Sequence, residues 1–232
     1  ELVNEAAKLR FMFGGKVKVP MVMRTASGAG TGAAAQHSQS LEACLAHFPG
    51  LKVVIPSTPY DAKGLLKTAI RDDNPVMFLE QKTLYRTKGM VPEEEYSIPL
   101  GQADIKLAGS DCTVVTYGRM VNTCLTAAQE LEKDGVRLEV IDIRSLVPLD
   151  TQTILESVKK TKHVLIVHEA VQFCGFGAEI AGQIADSDAF YYLDAPIKRL
   201  GAKSTPIPFN PILEAETFPT VPKIVAAVKS LL

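Results

Sequence analysis

Lys52-Val-Val-Ile-Pro56, Thr58-Pro-Tyr-Asp-Ala-Lys-Gly-Leu-Leu-Lys-Thr-Ala-Ile-Arg71 and Val76-Met-Phe-Leu79 follow one another with short polar joints between them. The first and third are apolar runs bounded by Pro or Gly, which punctuate strands. The middle stretch carries helix signals. Thr58 can serve as N-cap, Pro59 falls at the first helical position, and Asp61 puts a negative charge in the first turn, where the helix dipole favours it. Ala62, Leu65, Leu66, Ala69 and Ile70 form one apolar stripe at helical spacing, and Asn74-Pro75 ends the element. Strand, helix and strand in this order read as α/β with a parallel sheet.

The same rhythm extends in both directions. Upstream, Lys18 to Arg24 is a strand candidate, and Leu2, Ala6, Leu9 and Phe13 share one face of a helix. Downstream, Gln81 to Gly101 loses the pattern to Lys82, Lys88, Gly89, Pro92 and Glu93 to Glu95, a polar connector between two domains. Cys112 to Thr116, Val136 to Ile143 and His163 to Val167 then read as strands buried on both faces. The helices between and after them carry stripes at Met120, Cys124, Ala127, Ala128 and Leu131, at Ile154, Leu155 and Val158, and at Val221, Ile224, Val225, Val228 and Leu231. The expected division is residues 1–90, a linker at 91–100, and 101–232.

Composition narrows the function. Of 232 residues, 47% are apolar and 22% charged, and 25 basic against 26 acidic side chains leave a net charge of −1. That argues against disorder and against a nucleic-acid surface. No apolar run approaches the ~20 residues needed to cross a bilayer, and no basic-then-apolar leader opens the chain, so a soluble protein without a membrane role is expected. Cys44, Cys112, Cys124 and Cys174 form no Cys-x-x-Cys pair, which suits reduced thiols in a cytoplasm. A first residue of Glu rather than Met is expected of a chain whose gene product begins further upstream.

Four segments carry candidate chemistry. Gly28-Ala-Gly-Thr-Gly-Ala33 fits the dinucleotide fingerprint and would suggest a nicotinamide-binding oxidoreductase. Two facts weigh against it: the glycines start four residues beyond Arg24, and Ser57-Thr58 stands where the ribose-binding acid should be. A small-residue loop beside a ligand is the competing reading. His37, within Ala35-Gln-His-Ser-Gln-Ser40, is flanked by amides and hydroxyls that can hold one tautomer for proton transfer; a hydrogen-bonded histidine in a helix N-terminus fits the same residues. Ala69-Ile-Arg-Asp-Asp-Asn-Pro75 ends a helix whose free carbonyls, with Asp72 and Asn74, suit a hard cation, although the pattern alone favours an ordinary polar C-terminus. His168-Glu-Ala-Val171 through Gly175 to Ile180 reads as a strand end, a glycine turn and a helix, a place for ligand contacts or a plain turn. His47, His163 and His168 read as structural.

Taken together, the segments resemble one family. Val19-Pro-Met21 to Arg24, the glycine loop with Ala34 to Gln39, Pro49 to Val54, Asp61 to Leu65 and Ala69 to Pro75 resemble, in order, the beta subunit of the thiamine-diphosphate-dependent dehydrogenase component of 2-oxo acid dehydrogenase complexes. Ile141 to Asp150, Glu169 to Glu179 and Tyr192 to Pro196 look like the transketolase C-terminal domain of such subunits. The resemblance implies the latter part of a pyrimidine-binding domain followed by that C-terminal domain. It implies oxidative decarboxylation of a 2-oxo acid, or acetoin cleavage, with acyl transfer to lipoyl. Ser40 to Ala43, Thr58 to Asp61 and Ile98 to Gly101 incline toward the pyruvate or acetoin type.

By the same resemblance, His37 is the active-site histidine near the thiazolium and the lipoyl arm. Met21, Ala69, Ile70, Asp72 and Asn74 would hold potassium, mainly through main-chain oxygens. The glutamate that activates the aminopyrimidine would precede Glu1. Magnesium and the diphosphate would be held by the alpha subunit, since no Gly-Asp-Gly occurs here. The implied partners are that alpha subunit, a second beta subunit in a heterotetramer, and the lipoyl acyltransferase core, and this chain alone is expected to be inactive. A non-catalytic interaction module remains the other alternative.

Overall fold

The strand-helix-strand unit forms as read. In the computed structural model, which describes residues 1–232, strand β2 (Lys52–Val54) and strand β3 (Val76–Gln81) pair in parallel around helix α4 (Pro59–Arg71). Thr58 Oγ1 accepts the Asp61 amide at 3.1 Å, the expected N-cap bond. Alternate residues of the two strands face opposite ways. Val54, Val76 and Phe78 pack on Leu65 and Ala69 of α4, whereas Val53, Met77 and Leu79 turn inward.

Ahead of this unit, a π-helical turn at Leu2–Ala6 runs into α1 (Ala7–Met12). Strand β1 is Val22–Ser27, beginning four and ending three residues later than the expected Lys18 to Arg24, and pairs in parallel with β3. Its Met23 to Ala26 are exposed, so this edge strand lacks the apolar signature that would have marked it. The glycine run therefore begins directly at the strand end. Two short helices follow, α2 (Ala34–His37) and α3 (Glu42–Ala46).

The second half contains β4 (Asp104–Leu107), β5 (Cys112–Thr116), α5 (Met120–Glu132), β6 (Leu138–Asp142), β7 (Ser145–Val147), α6 (Thr151–Thr161), β8 (Val164–Val171), α7 (Gly177–Ala185), β9 (Lys198–Ala202), α8 (Pro211–Thr217) and α9 (Val221–Lys229). The five-stranded sheet runs β4-β6-β5-β8-β9, parallel except for β4. Strand β7 does not join it. It pairs antiparallel with β2 and completes the other sheet, whose order is β1-β3-β2-β7.

The two halves share a core. A cluster of 19 buried residues takes Val53, Met77 and Leu79 from the first sheet with Leu51 and Ile55 flanking β2, and Val115, Ile141 and Ile166 from the second with Ile143 just past β6, closed by α6 and α7. The opposite face of the second sheet is covered by α5 and α9. All four cysteines are free thiols, and no helix is long and apolar enough to cross a membrane.

Candidate active site at the glycine and histidine loop

Residues 28–39 leave the carboxyl end of β1 and return to it, closed by a 2.9 Å bond from the Gly28 amide to the Gln39 carbonyl. Gly28, Gly30 and Gly32 have φ of 80°, 88° and 66°, a region open to glycine at little cost. The amides of Ala29, Gly30 and Gly32 turn toward two buried carboxylates of the second half. Glu169 Oε1 accepts the Ala29 amide at 2.6 Å, and Glu214 accepts the Gly30 and Gly32 amides at 2.8 and 3.2 Å. The nicotinamide alternative falls here, because the main-chain donors a pyrophosphate would need already serve carboxylates.

Glu169 is also gripped from the other side. Arg119 Nε bonds its Oε2, and Gln81 Nε2 reaches the same oxygen at 3.4 Å. The Gln81 side-chain oxygen in turn accepts the Arg119 amide, and the Arg119 guanidinium lies 4.8 Å above the Phe218 ring. Below this network the Tyr117 hydroxyl donates to Glu42 Oε1 at 3.0 Å. Burial pushes the Glu42 carboxyl up to about 7, against its hydrogen bonds.

His37 ends α2 with its side chain exposed, and Lys82 Nζ holds its carbonyl from the end of β3. Beside it opens a cleft of 540 Å³ lined by Gln36, Ser38, Ser40, Glu169, Ile207 and Phe218 among others. His168 is buried within β8, as a structural histidine should be. Its Nδ1 lies 3.0 Å from the Ala170 carbonyl, its Nε2 has no partner, and burial pushes its pKa down to about 4.

The five expected cation residues lie at the end of α4, in the joint to β3, and just ahead of β1, where the Met21 carbonyl pairs with Val76. The Met21 carbonyl accepts the Val76 amide at 2.9 Å, and the Asp72 amide reaches the Ala69 carbonyl at 3.3 Å. The Asp72 carboxylate is taken by Lys52 and by the Asn74 amide and side chain, both at 2.8 Å, so it is already neutralised. The carbonyls of Ile70, Asp72 and Asn74 have no protein donor. Main-chain oxygens are therefore what this corner offers an ion. The Ile70 side chain, expected in the apolar stripe, is 62% exposed.

Reading the sequence singled out His37 and the glycine loop but missed Glu214, Arg119 and Gln81. Glu169 lies in the strand-end segment His168 to Val171, to which the sequence alone assigns no role. Only its place at a strand end pointed to it.

Similarity to known proteins agrees with this layout. Residues 2–88 match the transketolase pyrimidine-binding domain, and residues 101–224 match the transketolase C-terminal domain. The chain is 52% identical over 232 residues to the acetoin:2,6-dichlorophenolindophenol oxidoreductase subunit beta of Bacillus subtilis, covering all of this chain and 68% of that one. The chain belongs to the dehydrogenase beta-subunit family. Within it, the pyruvate dehydrogenase E1 component subunit beta of Rickettsia felis is 49% identical over 230 residues, 99% of this chain and 70% of that one. A split-gene transketolase, described as an inactive beta4 tetramer, shares the fold at a TM-score of 0.75 and 22% identity, over 99% of this chain and 73% of its own.

Proposed function

We propose that this chain is the beta subunit of a thiamine-diphosphate-dependent dehydrogenase that acts on pyruvate or acetoin and delivers the acyl unit to a lipoyl group. The carrying observation is the identity to acetoin and pyruvate enzyme beta subunits across the whole chain. The exposed His37 on a loop fixed by buried carboxylates supports it.

Thiamine diphosphate, when bound, supplies the electron sink that lets the substrate lose its carboxylate or acyl group. What this chain adds is proton handling. The exposed imidazole of His37, whose chain neighbours Gln36 and Ser38 line the cleft, can protonate the lipoyl sulfur released as the disulfide opens, and Lys82 fixes the backbone that carries it. No set of three His, Cys, Asp or Glu side chains is placed here to hold a metal. In this reading magnesium and the diphosphate are held by an alpha subunit. A heterotetramer of two alpha and two beta subunits docked on a lipoyl acyltransferase core, in the cytoplasm, completes it.

Potassium suits the corner at Met21, Ala69, Ile70, Asp72 and Asn74 through main-chain carbonyls, of which those of Ile70, Asp72 and Asn74 have no protein donor. Exchanging potassium for sodium should lower the melting temperature, and an unchanged melting curve would remove the ion. The reaction itself is tested by co-expressing the full-length subunit with its alpha partner and measuring thiamine-diphosphate-dependent turnover of pyruvate, acetoin and branched 2-oxo acids. Turnover of pyruvate or acetoin is expected. An assembled enzyme that turns over none of the three overturns the assignment.

A further inference from the structure

The loop carrying His37 is tied at both ends to one side chain. Glu169 Oε1 accepts the Ala29 amide at 2.6 Å ahead of the histidine and the Ser40 hydroxyl at 3.4 Å after it. That carboxylate lies on β8, 140 and 129 positions away along the chain. Its other oxygen is held by Arg119 from the start of α5 and by Gln81 from the end of β3. No other side chain of the second half hydrogen-bonds both stems of the loop. A Cβ at Gly28 would lie 2.7 Å from Glu169 Oε1, so the backbone passes the carboxylate too closely for any side chain there. Glu214 takes the amides at the loop tip, and Lys82 takes the carbonyl of His37 itself.

We infer that Glu169, locked by Arg119 and Gln81, is the positioning residue for His37 in acyl transfer, with Glu214 and Lys82 as its auxiliaries. The inference rests on the function proposed above. Glu169 lines the cleft, but both its oxygens are occupied by donors of this chain, so it is not assigned the proton transfer. It acts by fixing where the imidazole stands. A group displaced by about 1 Å loses on the order of 10²-fold in rate, so the clamp is worth more to the transfer step than to folding. Both ends of the loop move together only if the single carboxylate lets go.

The test compares two rates of the assembled alpha/beta enzyme. One is acylation of a lipoyl domain. The other uses a redox dye that takes the electrons in place of the lipoyl disulfide and does not need His37 to meet a sulfur atom. Glu169→Gln keeps the shape but turns an amide NH2 on Arg119 and Gln81, or on Ala29. We expect it to lower the ratio of lipoyl rate to dye rate at least tenfold, as His37→Ala should. Lys82→Met, at a half-buried site, and Glu214→Gln should lower the ratio at least threefold.

No turnover with either acceptor would be failure of the proposed function; if the enzyme turns over and His37→Ala leaves the ratio unchanged, the role of His37 falls and the positioning role with it. If His37→Ala lowers it and Glu169→Gln does not, or lowers both rates in parallel, the positioning role alone is overturned. Should Glu169→Gln not assemble, Lys82→Met and Glu214→Gln decide by the same ratio, and an unchanged ratio in both overturns it.

Discussion

Glu42 sits inside the protein at 1% exposure with the Tyr117 hydroxyl as its side-chain partner, and burial lifts its carboxyl from 4.5 to about 7. The folded state then binds a proton that the unfolded state has lost between those values, so stability falls as pH rises through that window. The effect reaches about 3 kcal/mol at the outer limit, at 1.36 kcal/mol per pKa step. Glu42→Gln keeps an acceptor for Tyr117 and cannot ionise. Its melting temperature should gain on the parent between pH 5 and pH 8; parallel curves would show that Glu42 does not titrate in this window. His37 asks the opposite question. Being exposed, it contributes little to folding, so His37→Ala should melt within about 2 °C of the parent while lipoyl acylation falls about 10²-fold or more. A melting temperature lowered by several degrees would make it structural. The histidine was legible in the sequence because its neighbours are polar and local. The carboxylates that hold its loop were not, because their partners are main-chain amides, which leave no mark in a side-chain pattern.

Helix α4 shows how far local signals reach. Its cap, its Pro59 start and its end before Asn74 were all readable, and so was Leu65 facing the sheet. Gly64 was not. Mid-helix glycine usually weakens a helix, and replacing it by Ala gains up to about 1 kcal/mol. Here a Cβ would meet Ile98 at 2.6 Å and Tyr96 at 2.9 Å, because the connector folds back onto the helix and Tyr96 stacks on Tyr60 at 4.5 Å. Overpacking of this kind costs about 1–3 kcal/mol. Gly64→Ala should therefore lower the melting temperature by about 2–6 °C, and a rise would mean the connector yields freely. Strand β1 erred in the other direction. Apolar Val19 and Met21 suggested an early strand, but the edge position lets Arg24, Thr25 and Ala26 pair with β3 while facing solvent. Hydrophobic periodicity is silent where neither face is covered.

At the scale of the molecule, the two halves are joined by more than a connector. The 19-residue core draws on both sheets, and a buried ion cluster spans them as well. Arg144 Nη1 and Lys106 Nζ bond Asp61 at 3.0 and 3.1 Å. Burial opposes ionisation of Asp61, yet its bond from Thr58 and those two cations outweigh it and hold its pKa below 3.8. Removing one half leaves such charges uncompensated. Expressed separately, residues 1–95 and 96–232 should each be insoluble or lack near-ultraviolet dichroism, and should regain it when produced together. Two independently folded fragments would show that the shared core is dispensable. Alternating strands and helices disclosed the fold class, but nothing in Ser145-Leu-Val147 signals that these residues serve the other sheet.

That three-residue loan sets a rule for recombination among relatives. A chimera that takes its second half from another subunit also imports one strand of the recipient's first sheet, so the seam to match is the pairing of Val53 and Val54 with Val147 and Ser145 rather than the connector. Crossovers placed by sequence in the connector would inherit a mismatched edge, and libraries built that way should be rescued by restoring the parental residues 145–147.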